Sequence, residues 1–573
     1  EDYDRRHGYR GAEDHINLED YSSQDELLDK LSTYQQVGDL QAGLVLKSGK
    51  AEASVLLMDE TVITLQLDDV KWATKFISAN RRGGVPRRVS EVIAAGDIIR
   101  VRPQSKANES TDESNSETAQ TPPPTANWQL TQIPTVGGAL VVMDPHNGAI
   151  RGVMGGYDFY HSKFNRATQA MRQPGSSFKP FIYSAALSRG FSPTSIVNDA
   201  PITIPGSNWQ PKNFGGSYIG PTTISEALAK SRNLVSIRLL RDTGIPYTIN
   251  YATRFGFAPK DLPPNLTLAL GTGVTNPVQM ATAYSTFANG GFKIDAYFIN
   301  RIQDGNGQVL FDASTETRQV CGDNIRLCPI RKPKKDSDLL AETAKPDEKK
   351  SKKDAKESKN ALSEEPEIKD YETEPGKIAP AATRIMDSRT QYQIVTMMQG
   401  VTQFGTAAAV SRSLHRTDIA GKTGTTSDQR DSWFCGFTPD YVAVAWSGFD
   451  DMAELGEGET SGKVAVPMWI AMMQKVLKDV PEKKYKKLEK LQMVKIDAKT
   501  GLLADDTSTE VIEEKLVAQA EEVKPETEKT KTENFEFTSA ANEQESQRPH
   551  EAATRPAAPA RKHESVEIPE QIF

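Results

Sequence analysis

Apolar and polar positions alternate in short runs between residues 37 and 103. Gly43–Lys47, Glu52–Met58 and Thr61–Leu67 are rich in strand-forming residues and are separated by polar turns. Gly96-Asp97-Ile98-Ile99-Arg100-Val101 repeats the alternation after a further turn. A period of two predicts half-buried strands, and strands this short predict a small all-β, OB-like barrel. Upstream, residues 1–36 are charged and tyrosine-rich with only weak helical patterning, which predicts a linker region.

The pattern changes at residues 104–126, a Ser/Thr/Asn/Glu-rich stretch ending in Pro122-Pro123-Pro124 that predicts a disordered linker. From 127 to about 477 the chain reads as globular. Ala139–Met143 and Ile150–Met154 flank Asn147-Gly148, a hairpin signal. Phe178, Phe181, Ile182, Ala185 and Ala186 recur at helical spacing before Gly190, predicting a buried helix. Trp433–Phe437 and Tyr441–Trp446 flank Thr438-Pro439-Asp440 and predict a second hairpin. Residues 333–378 are dense in Lys and Glu and predict a disordered insertion. In the C-terminal extension, 478–506, Met493–Ile496 and Leu502–Leu503 are expected to pair around Lys499-Thr500-Gly501. Residues 507–573 predict a disordered tail.

Length and charge narrow the picture. A chain of 573 residues exceeds one core and calls for at least two domains. The net charge of −8 and the lack of a basic stripe interleaved with aromatics argue against nucleic acid as a partner, even for an OB-like barrel. No run of about 18 apolar residues marks a membrane span. Cys321 and Cys328 are disulfide candidates for an oxidising compartment, with two unpaired loop thiols as the alternative. Cys435, in an apolar strand, reads as a buried small hydrophobe.

Three short elements carry candidate chemistry. Ser176-Ser177-Phe178-Lys179 opens the predicted buried helix. Residues three apart on a helix share a face, so the Lys179 amine can reach the Ser176 hydroxyl, and free backbone N–H groups at the helix start favour developing negative charge. Burial lowers a lysine pKa, and a neutral amine is what a general base requires. Alone, the same residues also fit a capping serine and a solvated lysine. Ser231-Arg232-Asn233 follows a helix opened by the capping pattern Thr223-x-x-Glu226. Ser-x-Asn is weak by itself, since Ser78-Ala79-Asn80 and Ser358-Lys359-Asn360 also match it. Lys422-Thr423-Gly424-Thr425 lies in a predicted strand, where a cation and two hydroxyls suit a carboxylate and Gly424 permits close backbone approach. Lys499-Thr500-Gly501 lacks the following hydroxyl residue.

Ser-x-x-Lys, Ser-x-Asn and Lys-Thr-Gly in this order are the signature of penicillin-binding proteins and class A β-lactamases. Gln173-Pro174-Gly175-Ser176, Asn213-Phe214, Gly220-Pro221-Thr222, Ala269-Leu270-Gly271, Phe287-Ala288-Asn289-Gly290-Gly291 and Trp433-Phe434-x-Gly436 extend the likeness. Over roughly 127–477 the chain resembles the transpeptidase domain of class A penicillin-binding proteins, and Gly96–Arg102 is similar to the OB-like insertion of Gram-negative members. The resemblance implies an α/β (α+β) fold, an antiparallel sheet flanked by helices, beside the OB-like domain. It also implies a glycosyltransferase domain ahead of residue 1, an inner-membrane anchor on the parent protein and action in the periplasm.

For the site, the resemblance implies Ser176 as nucleophile, Lys179 as base and Ser231 as proton relay. Asn233 would bind the substrate amide, Lys422, Thr423, Gly424 and Thr425 would surround the substrate carboxylate, and the backbone N–H groups of Ser176 and Thr425 would form the oxyanion hole. No metal or cofactor is called for. The implied partners are peptidoglycan stem peptides, lipid II-derived glycan strands, β-lactams bound covalently at Ser176 and an outer-membrane lipoprotein activator. A β-lactamase would need a water-activating Glu, and none occurs between Asn233 and Glu316. A D,D-carboxypeptidase and an inactive peptidoglycan-binding scaffold are the other readings.

Overall fold

Alternating side chains build the first sheet. The computed structural model describes residues 2–104, 127–318, 320, 327–333, 371–485, 491–497 and 511–517. Strands β1 (Gln41–Ser48), β2 (Glu52–Leu57), β3 (Val62–Gln66) and β4 (Asp97–Pro103) pair antiparallel in the order β4-β1-β2-β3. Val45, Val55, Leu57, Ile63 and Leu65 point into one core, whereas Leu44, Leu56 and Ile98 enter a second on the other face.

Both neighbours of the predicted barrel join this sheet. Asp14–His15 and β5 (Trp128–Thr131) pair with opposite ends of the free edge of β4. Helix α2 (Gln24–Ser32) buries Leu31 in the second core, and its N-cap Ser23 accepts from the Glu26 N–H. Helix α1 (Asp2–His7) reaches the other half of the chain: the Tyr3 hydroxyl donates to Leu455 O (2.7 Å), and Arg6 bonds the buried carboxylate of Glu459. Residues 1–36, expected as a linker, thus hold ordered elements. Tyr3, Ile16 and Leu31 are too sparse for a helical or strand period, and each becomes apolar core only through distant contacts.

The second sheet is antiparallel, in the order β7-β6-β10-β9-β8: β6 is Gly137–Met143, β7 Ile150–Met154, β8 Ala420–Thr425, β9 Asp431–Phe437 and β10 Val442–Gly448. Both predicted hairpins form. Every residue of β9 and β10 is buried, because helices cover both faces. Phe434 packs edge-on against Trp469 of α7 (Ala465–Val476) at 5.1 Å. Three residues on, Phe437 faces Tyr284 and Phe287 of α6 (Pro277–Ala288) on the opposite side. The predicted buried helix, α3 (Lys179–Ser188), runs through the core with Phe181 ringed by Phe178, Phe255, Phe257, Tyr284 and Phe287 at 5.0–5.6 Å. Removing one such ring costs about 3–5 kcal/mol.

Some pairings differ from expectation. Leu491–Asp497 pairs with Val511–Val517, inside the expected tail, while Leu502–Leu503, the expected partner, lie outside the described residues. At the ends of the charged insertion, Leu327–Pro333 pairs with Tyr371–Pro380. The Cys321–Cys328 bridge, the 105–126 linker, Lys499-Thr500-Gly501 and most of the insertion and tail also lie outside the described residues. Among those described, no helix is long and apolar enough to cross a membrane.

Candidate active site

Close backbone approach brings the first and third sequence elements together. Ser176 lies on a 3₁₀ turn, Gly175–Phe178, that leads directly into α3. The turn rests on the edge of β8. A Cβ on Gly424 would lie 2.2 Å from Ser177 Oγ and 2.3 Å from Pro174 O, so only glycine fits there. Behind the turn, a Cβ on Gly271 would lie 1.9 Å from Gly175 O. Three bonds clamp the turn: Tyr284 donates to Ser177 O (2.6 Å), Trp433 Nε1 donates to Gln173 O (2.8 Å), and Arg172 pairs with the buried carboxylate of Asp431 (2.7 Å).

The second element arrives on the connection between α4 (Ile224–Ala229) and α5 (Asn233–Thr243). Thr223 caps α4 by accepting from the Glu226 N–H, as its spacing predicts. Arg232 supplies no side-chain cap to α5. Asn213 Oδ1 takes that role, accepting from the N–H groups of Asn233 (2.8 Å) and Leu234 (3.3 Å), while its amide donates to the fully buried Asp199 (2.7 Å). Ser231 adopts a left-handed backbone, φ 57°, which aims its hydroxyl at two lysines.

Those lysines define the site. Lys179 and Lys422 are both 0% exposed. Lys179 Nζ donates to Ser231 O and to Asn233 Oδ1, each at 2.8 Å, and lies 3.3 Å from Ser231 Oγ. Lys422 Nζ donates to Ser231 Oγ at 2.9 Å and to Thr423 O at 3.0 Å. No carboxylate lies within ion-pair distance of either amine among the described residues. Burial therefore pushes Lys179 well below the ordinary lysine value. The charge of Lys422 pushes in the same direction, and Asp199 opposes it weakly. Burial also lowers Lys422, to about 7. The Cys435 thiol, in register with Lys422 on β9, is pushed up to about 12 by burial and stays neutral.

The expected Ser176–Lys179 hydrogen bond is absent. Lys179 turns to Ser231 and Asn233, and the Ser176 hydroxyl has no hydrogen-bond partner among the described residues. The hydroxyls of the third element are already engaged. Thr423 Oγ1 shares a 2.7 Å bond with Thr406. Ser461 gives its proton to Gly424 O (2.6 Å), so Thr425 donates to Ser461 Oγ (2.7 Å) while accepting from the Ser461 N–H (3.2 Å). Neither Thr406 nor Ser461 carries a sequence signal, since a lone hydroxyl residue has no spacing to read. Ser78-Ala79-Asn80 sits elsewhere, with Asn80 Oδ1 accepting from the Glu457 N–H. Among the described residues, no group of three or more His, Cys, Asp or Glu side chains could hold a metal ion.

Comparison with known proteins accounts for this arrangement. Residues 138–468 match the penicillin binding protein transpeptidase domain family. The chain belongs to this family. Residues 9–136 match the penicillin-binding protein OB-like domain, a span that takes in Asp14–His15, α2 and β5. Penicillin-binding protein 1A of Pseudomonas aeruginosa is 39% identical over 507 residues, covering 87% of this chain and 57% of the relative. The Vibrio cholerae protein of the same name is 35% identical over 534 residues, covering 88% and 58%. The crystal structure of penicillin-binding protein 1A from Haemophilus influenzae superposes with a TM-score of 0.71 at 30% identity, covering 91% of this chain and 69% of that one. The chain thus spans little more than half the length of these two curated relatives. Its fold is that of a penicillin-binding transpeptidase domain joined to an OB-like domain.

Proposed function

We propose that this chain is the cross-linking part of a peptidoglycan D,D-transpeptidase. One observation carries the reading: two fully buried lysine amines meet on one serine hydroxyl beside the turn that carries Ser176. A neutral Lys179 uses its two N–H bonds on Ser231 O and Asn233 Oδ1, which leaves its lone pair free to receive a proton. In the reaction, Ser176 Oγ attacks the carbonyl between the two terminal D-Ala residues of a donor stem peptide, and Lys179 takes the hydroxyl proton. The backbone N–H groups of Ser176 and Thr425 hold the oxyanion. As the C–N bond breaks, the proton passes through Ser231 to the departing D-Ala amine. Lys422, Thr423 and Thr425 hold the donor carboxylate, with Thr425 exchanging its bond to Ser461 for one to the substrate. Asn233 bonds the substrate amide. The amine of a second stem peptide then attacks the ester, releasing Ser176 and forming the cross-link.

β-Lactams present a carboxylate and a strained amide to the same groups and acylate Ser176. By the same reading the parent protein is a periplasmic enzyme anchored in the inner membrane. It couples this activity to a peptidoglycan glycosyltransferase acting on lipid II-derived strands, and its OB-like domain receives an outer-membrane lipoprotein activator.

Mass spectrometry with peptide mapping after penicillin treatment tests the assignment. A persistent adduct is expected on the peptide containing Ser176 and none in Ser176→Ala. Substantial labelling of that variant would refute it. Product analysis with and without an acceptor amine separates transfer from the hydrolysis expected of a carboxypeptidase.

A further inference from the structure

Residues 455–461, in the connection that leads into α7, are gripped at one end by α1 and the OB-like domain. The Tyr3 hydroxyl donates to Leu455 O at 2.7 Å. Gly456 has φ 116°, and a Cβ there would lie 2.5 Å from Ala79 O, so the connection lies flat against the OB-like domain. The Glu459 side chain is 1% exposed and gathers three basic groups. Arg6 meets it through bonds of 2.6 and 2.9 Å, Lys463 at 3.0 Å and His7 at 3.2 Å. Burial alone would raise the Glu459 pKa, but Arg6 and Lys463 outweigh it and hold the carboxyl below its ordinary value, so it stays charged.

Two residues on, the same connection grips the site. Ser461 is 1% exposed. Its hydroxyl donates to Gly424 O, its N–H donates to Thr425 Oγ1, and its oxygen accepts the Thr425 proton. A serine on a free turn would lose backbone and rotamer freedom to hold that geometry. The Arg6–Glu459 clamp removes the freedom in advance. In the proposed function, on which this inference rests, Thr425 exchanges its bond to Ser461 for one to the donor carboxylate. We infer that Arg6 and Glu459 are positioning residues for donor recognition, acting through Ser461 to set Thr425 for that carboxylate. Neither touches the substrate. Helix α1, more than 400 residues from Thr425 in sequence, thereby becomes part of the support of the carboxylate site.

Penicillin and its methyl ester, which lacks the anionic carboxylate, test this as paired probes. The ratio of their acylation rates reads carboxylate recognition and is independent of how much of the chain is folded. In the unaltered chain penicillin should react faster. Arg6→Ala should slow acylation by penicillin roughly fivefold, the worth of one hydrogen bond, with the ester rate per folded molecule unchanged. Arg6→Lys, which keeps a cation facing Glu459, should restore most of the ratio. Ser461→Ala should lower the ratio roughly tenfold, and adding Arg6→Ala should lower it no further, because both act through one hydroxyl. An unchanged ratio in Arg6→Ala, or losses that multiply in the double variant, would overturn the inference while penicillin labelling of Ser176 stands. Equal rates for the two probes in the unaltered chain, or no labelling of it at all, would overturn the proposed function itself, and this inference with it.

Discussion

The two halves of the chain bury positive charge in opposite ways. In the OB-like domain, Arg100 is 4% exposed and is met by Glu13 through two bonds of 2.6 and 2.9 Å and by Gln35 O at 2.7 Å. In the transpeptidase domain, Lys179 and Lys422 are fully buried without a facing carboxylate. A guanidinium cannot shed its proton, so the fold must bring it an anion. A lysine can, so burial favours the amine, strongly at Lys179 and only to about 7 at Lys422. The first arrangement holds a domain together. The second stores reactivity, since a neutral lysine in a dry site is ready to accept a proton.

The largest expected effect removes the neutral amine. Lys179→Ala should slow acylation by about 10²–10⁴, the usual contribution of a positioned base, as measured by stopped-flow with penicillin. A rate near that of the unaltered chain would leave Lys179 a purely structural group.

Titration sharpens the contrast. Donor binding needs Lys422 charged, so kcat/KM should fall about tenfold per pH unit above about 7, where Lys422 loses its proton. Stability should move the other way. Between about 7 and the ordinary lysine value of 10.5 the folded chain holds fewer protons than the unfolded chain, so these lysines make the fold relatively more stable as pH rises. An acylation profile flat to pH 9 would contradict the lowered Lys422.

Glu13→Ala should cost about 1.5–3 kcal/mol in denaturant unfolding of the OB-like domain, the worth of hydrogen bonds to a charged group, with acylation unchanged. The smallest effect is expected from Thr406→Val. Loss of its bond to Thr423 should cost about 1 kcal/mol, or roughly fivefold in acylation efficiency. No change would mean that Thr423 is held by Lys422 alone.

How much was legible follows from the same contrast. Both hairpins and the four main strands of the OB-like sheet were readable because period two and turn residues are local. The three motif elements were readable because their residue types recur in a fixed order. What escaped was non-local. Asn213 lies 20 residues before the helix it caps, so its role at the start of α5 appears only once the chain is folded. Thr406 and Ser461 bond residues 17 and 36 positions away. Spacing of three puts Lys179 on the face of Ser176, but the carbonyl of Ser231 and the amide of Asn233 compete better for its protons.

The left-handed backbone of Ser231 sets two demands against each other. A side chain at φ 57° strains the fold by about 1–2 kcal/mol, and glycine would relieve it. Glycine would also delete the only hydroxyl shared by both amines among the described residues. Ser231→Gly should therefore give a hardier protein and a poorer catalyst, and selection for heat tolerance alone would tend to erode this position.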